Sequence, residues 1–179
     1  TARHLSAQAM QTVRDAAYRA SVGLAREKGA FPALERDAFL ASGFALRLPA
    51  DIRAAIAAHG IRNSHLLAIA PAGTISLLAN NLSSGIEPVF AAEAERRVLQ
   101  ADGRYATHPV VDFAWQVWRE RGGRGTPPAF VEARALDPRA HLAMQAALQP
   151  FVDNAISKTI NVAVDLPFGR FEDLYREAH

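Results

Sequence analysis

The sequence predicts an α/β protein, mostly helical, with a few short strands. Three observations lead there. Long stretches carry apolar residues at helical spacing and stop at glycine or proline. Two short apolar runs, HLLAIA at 65–70 and SKTINVAV at 157–164, are bounded by turn residues and suit strands. These runs lie far apart in the chain. If they share a sheet, they join parallel neighbours through helical crossovers.

Residues 3–28 form the first predicted helix, with Leu5, Met10, Val13, Ala17, Ser21 and Leu24 on one stripe and Arg14, Arg19 and Arg26 elsewhere. Gly29 stops it. Pro32 opens a short second helix through Phe39 and Leu40, ending near Gly43. Pro49 and Asp51 favour the first turn of a third, which stops at Gly60. HLLAIA then reads as a buried strand broken by Pro71-Ala72-Gly73, with Thr74 as the cap of ISLLAN. Asp102-Gly103, inside VLQADGRYAT, signals a hairpin. VVDFAWQVWRERGG follows as an amphipathic helix with Val110, Phe113, Ala114 and Val117 inward and Gly122 as its stop, then a loop to Pro128. Asp137-Pro138 starts a helix carrying Leu142, Met144 and Leu148. Pro150 either kinks it or opens a new one with Phe151, Val152 and Ile156. The final helix runs from Phe171 to Ala178.

Half of the 179 residues are hydrophobic, enough for a sizeable core, and the length suits one domain or part of a larger one. The net charge is only +2, and no basic stripe with interleaved aromatics appears, so no nucleic-acid partner is expected. No apolar run approaches the ~20 residues that span a bilayer, and no leader pattern is present, so the expectation is a cytoplasmic protein without a membrane partner. Asn81-Leu82-Ser83 matches a glycosylation sequon by chance in that setting. The start at Thr1 and the end within FEDLYREAH suggest a piece of something longer: residues 1–179 as a single partial domain.

There are no cysteines, so this chain offers no disulfide, no thiolate ligand and no thiol chemistry. His4, His59, His65, His108, His141 and His179 are scattered without metal-ligand spacing, so no metal site is expected. No phosphate-binding P-loop or dinucleotide-binding glycine fingerprint occurs.

The most informative stretch is HLLAIAPAGTISLLANNLSSGIEPVF, from His65 to Phe90. A strand that ends at a glycine turn and opens a helix presents backbone N–H groups with no intrahelical partner, in the positive field of the helix end. Such a spot suits phosphate. Gly73 permits close backbone approach, and Thr74 and Ser76 add hydroxyls. Many strand–turn–helix junctions carry the same residue types purely for capping, and that commoner reading stays open from these residues alone.

The stretch GIRNSHLLAIAPAGTISLLANNLSSGIEPVF closely resembles the Arg-Asn-Ser, apolar strand, Ala-Pro-Thr-Gly-Thr-Ile-Ser and Ser-Ser-Gly-Ile-Glu-Pro series of ribonucleotide reductase large chains, nearest to the adenosylcobalamin-dependent (class II) branch. VGLAREKGAFPAL, LASGFALRLPADIRAAI and HLAMQAALQPFVDNAISKTINVAVDLPF extend the resemblance over nearly the whole chain, Glu93–Ala135 least closely. It implies a C-terminal part of the family's ten-stranded α/β barrel. It also implies that Ala70, Pro71, Ala72, Gly73, Thr74, Ile75 and Ser76 hold the phosphate end of a ribonucleoside di- or triphosphate. Where the family usually has a hydroxyl residue, this chain has Ala72, whose backbone N–H can remain; the missing hydrogen bond to a charged group is worth ~1.5–3 kcal/mol.

The family's thiyl-radical chemistry needs cysteines that lie on other segments, so no catalytic residue is assigned here. The resemblance implies adenosylcobalamin as cofactor of the complete enzyme, not bound by this segment alone. It also implies the remaining part of the reductase as partner, with this chain inactive by itself. An isolated barrel piece exposes apolar surface, so self-association is expected as well. Glu87 reads as a structural loop carboxylate near the active-site mouth, because the family's catalytic carboxylate sits on another loop. Arg62, Asn63 and Ser64 orient the start of the strand. Lys158, one of two lysines, reads as half of a structural ion pair. Trp115 and Trp118 read as packing residues.

Two functions of different class fit. One is a segment of a vitamin B12-dependent ribonucleotide reductase, making deoxyribonucleotides by radical chemistry. The alternative is a non-catalytic truncated relative that serves as a nucleotide-binding or protein-interaction module, as the missing cysteines and Ala72 would allow. An upstream Asn-x-Cys-x-Glu loop would favour the enzyme.

Overall fold

A computed structural model describes residues 1–178. The helices are α1 (Ala2–Lys28), α2 (Arg36–Ala41), α3 (Ala50–His59), α4 (Gly73–Leu78), α5 (Phe113–Glu120), α6 (Pro138–Leu148) and α7 (Phe168–Ala178). The strands are β1 (Glu93–Leu99) and β2 (Tyr105–Val111). The chain divides into two compact units: Thr1–Ile69 with Ala143–Ser157, and 70–142 with the residues after Ser157.

The first unit is built around α1, which Thr1 caps by accepting from the His4 N–H. Gly29 closes it at φ 80°, and Gly60 closes α3 at φ 75°. The buried core joins Tyr18 and Val22 of α1 to Ala45, Leu48, Ile52, Ile56 and Ile61. Tyr18 stacks on Phe44 with ring centroids 5.6 Å apart.

The inward face of α1 is one residue off the predicted stripe. Arg14, Tyr18, Ser21, Val22 and Ala25 are buried, whereas Leu5, Val13 and Leu24 face solvent. Apolar spacing misled because the face is amphipathic. The Arg14 guanidinium is satisfied in place by Asp15 Oδ1 at 2.8 Å and lies 5.2 Å over the Phe151 ring. Ser21 Oγ donates to Asn63 Oδ1 and accepts from Asn63 N–H, which fixes Asn63 ahead of the segment it was expected to orient.

The expected strand at 65–70 is a half-buried extended segment with a single parallel bridge, Ile69 to Ile156. Asp153 organises it, its Oδ2 and Oδ1 accepting from the Leu66 and Leu67 N–H groups, each at 2.8 Å. Asn154 N–H then donates to Leu67 O, and Ser157 N–H to Ile69 O. The expected strand at 157–164 does not form; the bridging residue, Ile156, lies just before it. Among the described residues this segment has a partner on one edge only, and one partner does not build a regular ladder.

Gly60 admits no side chain. A Cβ there would stand 2.8 Å from Ala30 Cβ, and at Gly29 it would meet nothing within 4 Å. Both sit at positive φ, so each Gly→Ala change should cost about 1 kcal/mol from the backbone. Gly60→Ala should cost about 1–2 kcal/mol more through overpacking, read from far-UV denaturant midpoints. Equal costs at the two sites would contradict this.

In the second unit the only sheet among the described residues is an antiparallel hairpin, with Leu99 opposite Tyr105 and Glu93 opposite Val111. The Asp102-Gly103 turn is where the sequence places it: Gly103 has φ 81°, and Asp102 Oδ1 accepts from Arg104 N–H. The strands run further than predicted. Val110 and Val111 belong to β2, so the next helix starts at Phe113, capped by Asp112. Pro109 is tolerated because a two-stranded ribbon leaves every strand an outer edge.

The inward residue of α5 is Trp115, not Phe113 or Ala114. Its Nε1–H donates to Glu93 Oε1, and its ring packs 5.2 Å from Phe130. Trp118 is 37 % exposed, and its Nε1–H donates to Gly125 O. Asp137 Oδ1 accepts from Arg139 N–H at the start of α6. Pro150 sits in a short 3-10 turn, Gln149–Phe151. No helix among the described residues is long and apolar enough to cross a membrane.

Candidate functional site

The Pro-Ala-Gly turn opens α4 at Gly73, with Ala72 as N-cap and no side-chain cap. Thr74 is therefore inside the first turn and is not the capping residue. The first intrahelical bond runs from Ser76 N–H to Ala72 O at 2.7 Å. Among the described residues the N–H groups of Gly73, Thr74 and Ile75 have no backbone partner, as expected of a helix start.

Other parts of the predicted seat are committed elsewhere. Pro71 has no N–H. Ala72 N–H donates to Ser84 O at 2.9 Å, so the backbone donor expected to remain free there is spent on the loop. Ser76 Oγ–H donates to Leu82 O. Ile75 offers only its amide, since its side chain is a hydrocarbon. Among the described residues the Thr74 hydroxyl has no hydrogen-bond partner. These bonds staple the loop 82–88 against α4. Asn80 and Asn81 make the reversal after the helix at φ 63° and 58°, in the left-handed region that asparagine tolerates. Asn81 Nδ2 donates to Val111 O, tying the reversal to the hairpin.

A cavity of about 390 Å³ opens beside this turn. Gly73 and Ser76 of α4, Glu87 of the loop, Arg96 of β1, Asp112, and Thr159 border it. Asp112 is 3 % exposed and is occupied as the cap of α5, accepting from Trp115 N–H.

Glu87 is held from behind. It forms an ion pair with Lys158 and accepts from Thr159 N–H at 2.8 Å. Lys158 Nζ also donates to Thr159 O and lies 2.8 Å from His141 Nδ1. Its side chain is only 3 % exposed. Glu87 and Lys158 thus have the structural role read from the sequence. His141 was not singled out there, because nothing local marks it as their neighbour.

Burial, first, and the Lys158 charge hold the His141 imidazole below its ordinary value of 6.5. The unfolded chain therefore takes up this proton near pH 6.5, and the folded chain only at lower pH. Stability in the second unit should be complete above about pH 6.5 and fall as the pH drops below it. Both tryptophans lie in this unit, so denaturant midpoints read by their fluorescence from pH 7 to 5 follow it. His141→Asn should flatten that slope. An unchanged slope would contradict the assignment.

Among the described residues no group of three or more His, Asp or Glu side chains could hold a metal ion. Arg96 was missed in the sequence, because its place on the cavity side of the hairpin follows only from the full strand register.

A family model described as the ribonucleotide reductase barrel domain matches residues 1–179. The chain belongs to that family. A vitamin B12-dependent ribonucleoside-diphosphate reductase of Mycobacterium tuberculosis (strain CDC 1551 / Oshkosh) is 35% identical over 181 residues, covering 88% of this chain and 23% of the relative. A reductase of the same name from Thermoplasma acidophilum is 29% identical over 195 residues, with 99% of this chain and 23% of the relative covered. A ribonucleoside-diphosphate reductase subunit alpha of Treponema pallidum is 24% identical over 171 residues, covering 92% and 19%. This barrel-family chain thus spans less than a quarter of the length of these relatives. The resemblance read from the sequence is borne out. Its described residues form a mixed structure, about half helical, with one two-stranded sheet and no closed barrel.

Proposed function

We propose that the chain serves as a barrel segment of a vitamin B12-dependent ribonucleotide reductase, an oxidoreductase that reduces ribonucleotides to deoxyribonucleotides by radical chemistry. The observation that carries this reading is the family match over the whole chain, together with relatives named vitamin B12-dependent reductases. Its part is framework plus a seat for the substrate's phosphates. The Gly73, Thr74 and Ile75 amides and the Thr74 hydroxyl are the donors, and the ligand enters by the adjoining cavity. Ala70, Pro71 and Ala72 shape the turn. The substrate class is a ribonucleoside diphosphate, after the relatives' names.

Thiol chemistry comes from outside this segment, which has no cysteine. The residues present do not fit a corrinoid. A cavity of about 390 Å³ is at the small end of the range for drug-sized ligands, and cobalamin is far larger. Cobalamin belongs to the complete enzyme, and no step is assigned to it here. The exposed side chains of Ile75, Leu78, Val164 and Phe168 supply apolar surface for the remaining part of the reductase or, without it, for self-association.

The test is complementation. The Mycobacterium tuberculosis relative, deleted for the matching segment, is mixed with this chain, adenosylcobalamin, a thiol reductant and a ribonucleoside diphosphate. Deoxyribonucleotide should form only when both proteins are present. A folded, associated mixture without turnover would contradict the proposal.

A further inference from the structure

Three groups meet behind the cavity wall: Glu87 of the loop 82–88, Lys158, and His141 of α6. An ammonium has three N–H donors and no acceptor. Lys158 spends one donor on Glu87 Oε2, one on Thr159 O at 2.8 Å and one on His141 Nδ1 at 2.8 Å. His141 Nδ1 must therefore be the unprotonated nitrogen of a neutral ring. His141 is 2 % exposed and the Lys158 side chain 3 %. A proton on Nδ1 would set N–H against N–H and two cations side by side with water shut out. The one carboxylate present cannot neutralise both.

The same three groups anchor the wall. Glu87 accepts from Thr159 N–H at 2.8 Å, and its backbone carbonyl accepts from the Ser83 hydroxyl. Glu87, Thr159, Leu82, Ser83 and Ser84 all border the cavity. Among the described residues the charged groups acting on His141 are Lys158 and Glu87. Burial, first, and the Lys158 charge oppose its protonation; Glu87 and the Ala133 backbone favour it and are outweighed.

We infer that His141 is a proton-operated latch: charging its imidazole expels Lys158, unties Glu87 and loosens loop 82–88 at the cavity wall while the rest of the second unit stays folded. This does not depend on what the cavity takes. The closed latch disfavours a proton on His141, whereas the opened one accepts it near the ordinary value of 6.5. The latch is thus closed above about pH 6.5, and its open fraction rises up to about tenfold per pH unit below that.

The test is limited acetylation with acetic anhydride between about pH 7 and 5, with the modified lysines mapped by mass spectrometry. Lys28 is the only other lysine and is exposed, so the Lys158-to-Lys28 ratio cancels the pH dependence of the reagent. At pH 7 Lys158 should react at least about tenfold more slowly than Lys28, and the ratio should rise about tenfold by pH 5. Deuterium uptake over 82–88, corrected for its intrinsic pH dependence, should rise over the same range while tryptophan fluorescence holds. His141→Asn, whose amide oxygen can accept from Lys158 and takes no proton, should keep Lys158 slow and the loop protected throughout. A flat ratio in the parent, or a freed Lys158 with an unchanged loop, would overturn the latch. So would fluorescence that falls as the ratio rises, which marks unfolding of the whole unit. The same rise in His141→Asn would assign the response to Glu87 and overturn the role of His141. If that variant does not fold, the parent decides alone: the His141 imidazole, followed by NMR, must titrate where the ratio rises, and a separate midpoint would overturn the proposal.

Discussion

Lys158→Met is expected to destabilise the second unit by about 3 kcal/mol, the low end of the cost of breaking a buried ion pair, because the Glu87 side chain left behind is 23 % exposed. The Lys158 side chain is 3 % exposed, and its ammonium meets Glu87, Thr159 O and His141. Methionine fills much the same volume and leaves the Glu87 carboxylate with only the Thr159 N–H recorded as donor. The cost is chiefly that of an uncompensated charge. The double variant Lys158→Met with Glu87→Gln should therefore recover at least half of the loss, as removing both charges is far less costly than removing one. Tryptophan fluorescence in a denaturant titration reads this, since Trp115 and Trp118 belong to the same unit. A single variant costing under about 1 kcal/mol would show the pair to be an ordinary surface contact.

Asp153→Ala should cost the first unit a comparable amount, about 3–5 kcal/mol. One carboxylate accepts from the Tyr18 hydroxyl at 2.6 Å and from the Leu66 and Leu67 amides at 2.8 Å. Tyr18 is 1 % exposed, and burial, then its bond to Asp153, pushes its hydroxyl pKa far above the ordinary tyrosine value. Alanine would leave three donors unpaired, one of them in the core. Asp153→Asn keeps a single acceptor oxygen and should fall between. Far-UV ellipticity is the readout, because the 27-residue α1 lies in this unit. Asn costing as much as Ala would mean that charge, and not acceptor count, is what the amides require.

What the sequence made legible was local. Gly29 and Gly60 stop helices because the following turn needs positive φ. Asp102-Gly103 marks a hairpin for the same reason, and Asp137 caps α6 through its own neighbours. What it hid was non-local. Glu87 and Lys158 are 71 residues apart, and Asp153 reaches Leu66 across 87. The inward face of α1 was misread because arginine and tyrosine can be buried when their polar ends are satisfied, and apolar counting does not register that. The strand expected at 65–70 shrank to one bridge and that at 157–164 did not form, since a strand needs neighbours as well as propensity. At the candidate site the turn itself was readable from Pro71-Ala72-Gly73. The commitment of Ser76 and the Ala72 amide to loop 82–88 was not, because it depends on how that loop folds back.

The most direct measurement is a crystal of the chain soaked with a ribonucleoside diphosphate. The proposed seat requires a phosphate group within hydrogen-bond distance of the Gly73, Thr74 and Ile75 N–H groups, with the rest of the ligand in the adjoining cavity. A nucleotide bound elsewhere, with those amides facing water, would contradict it.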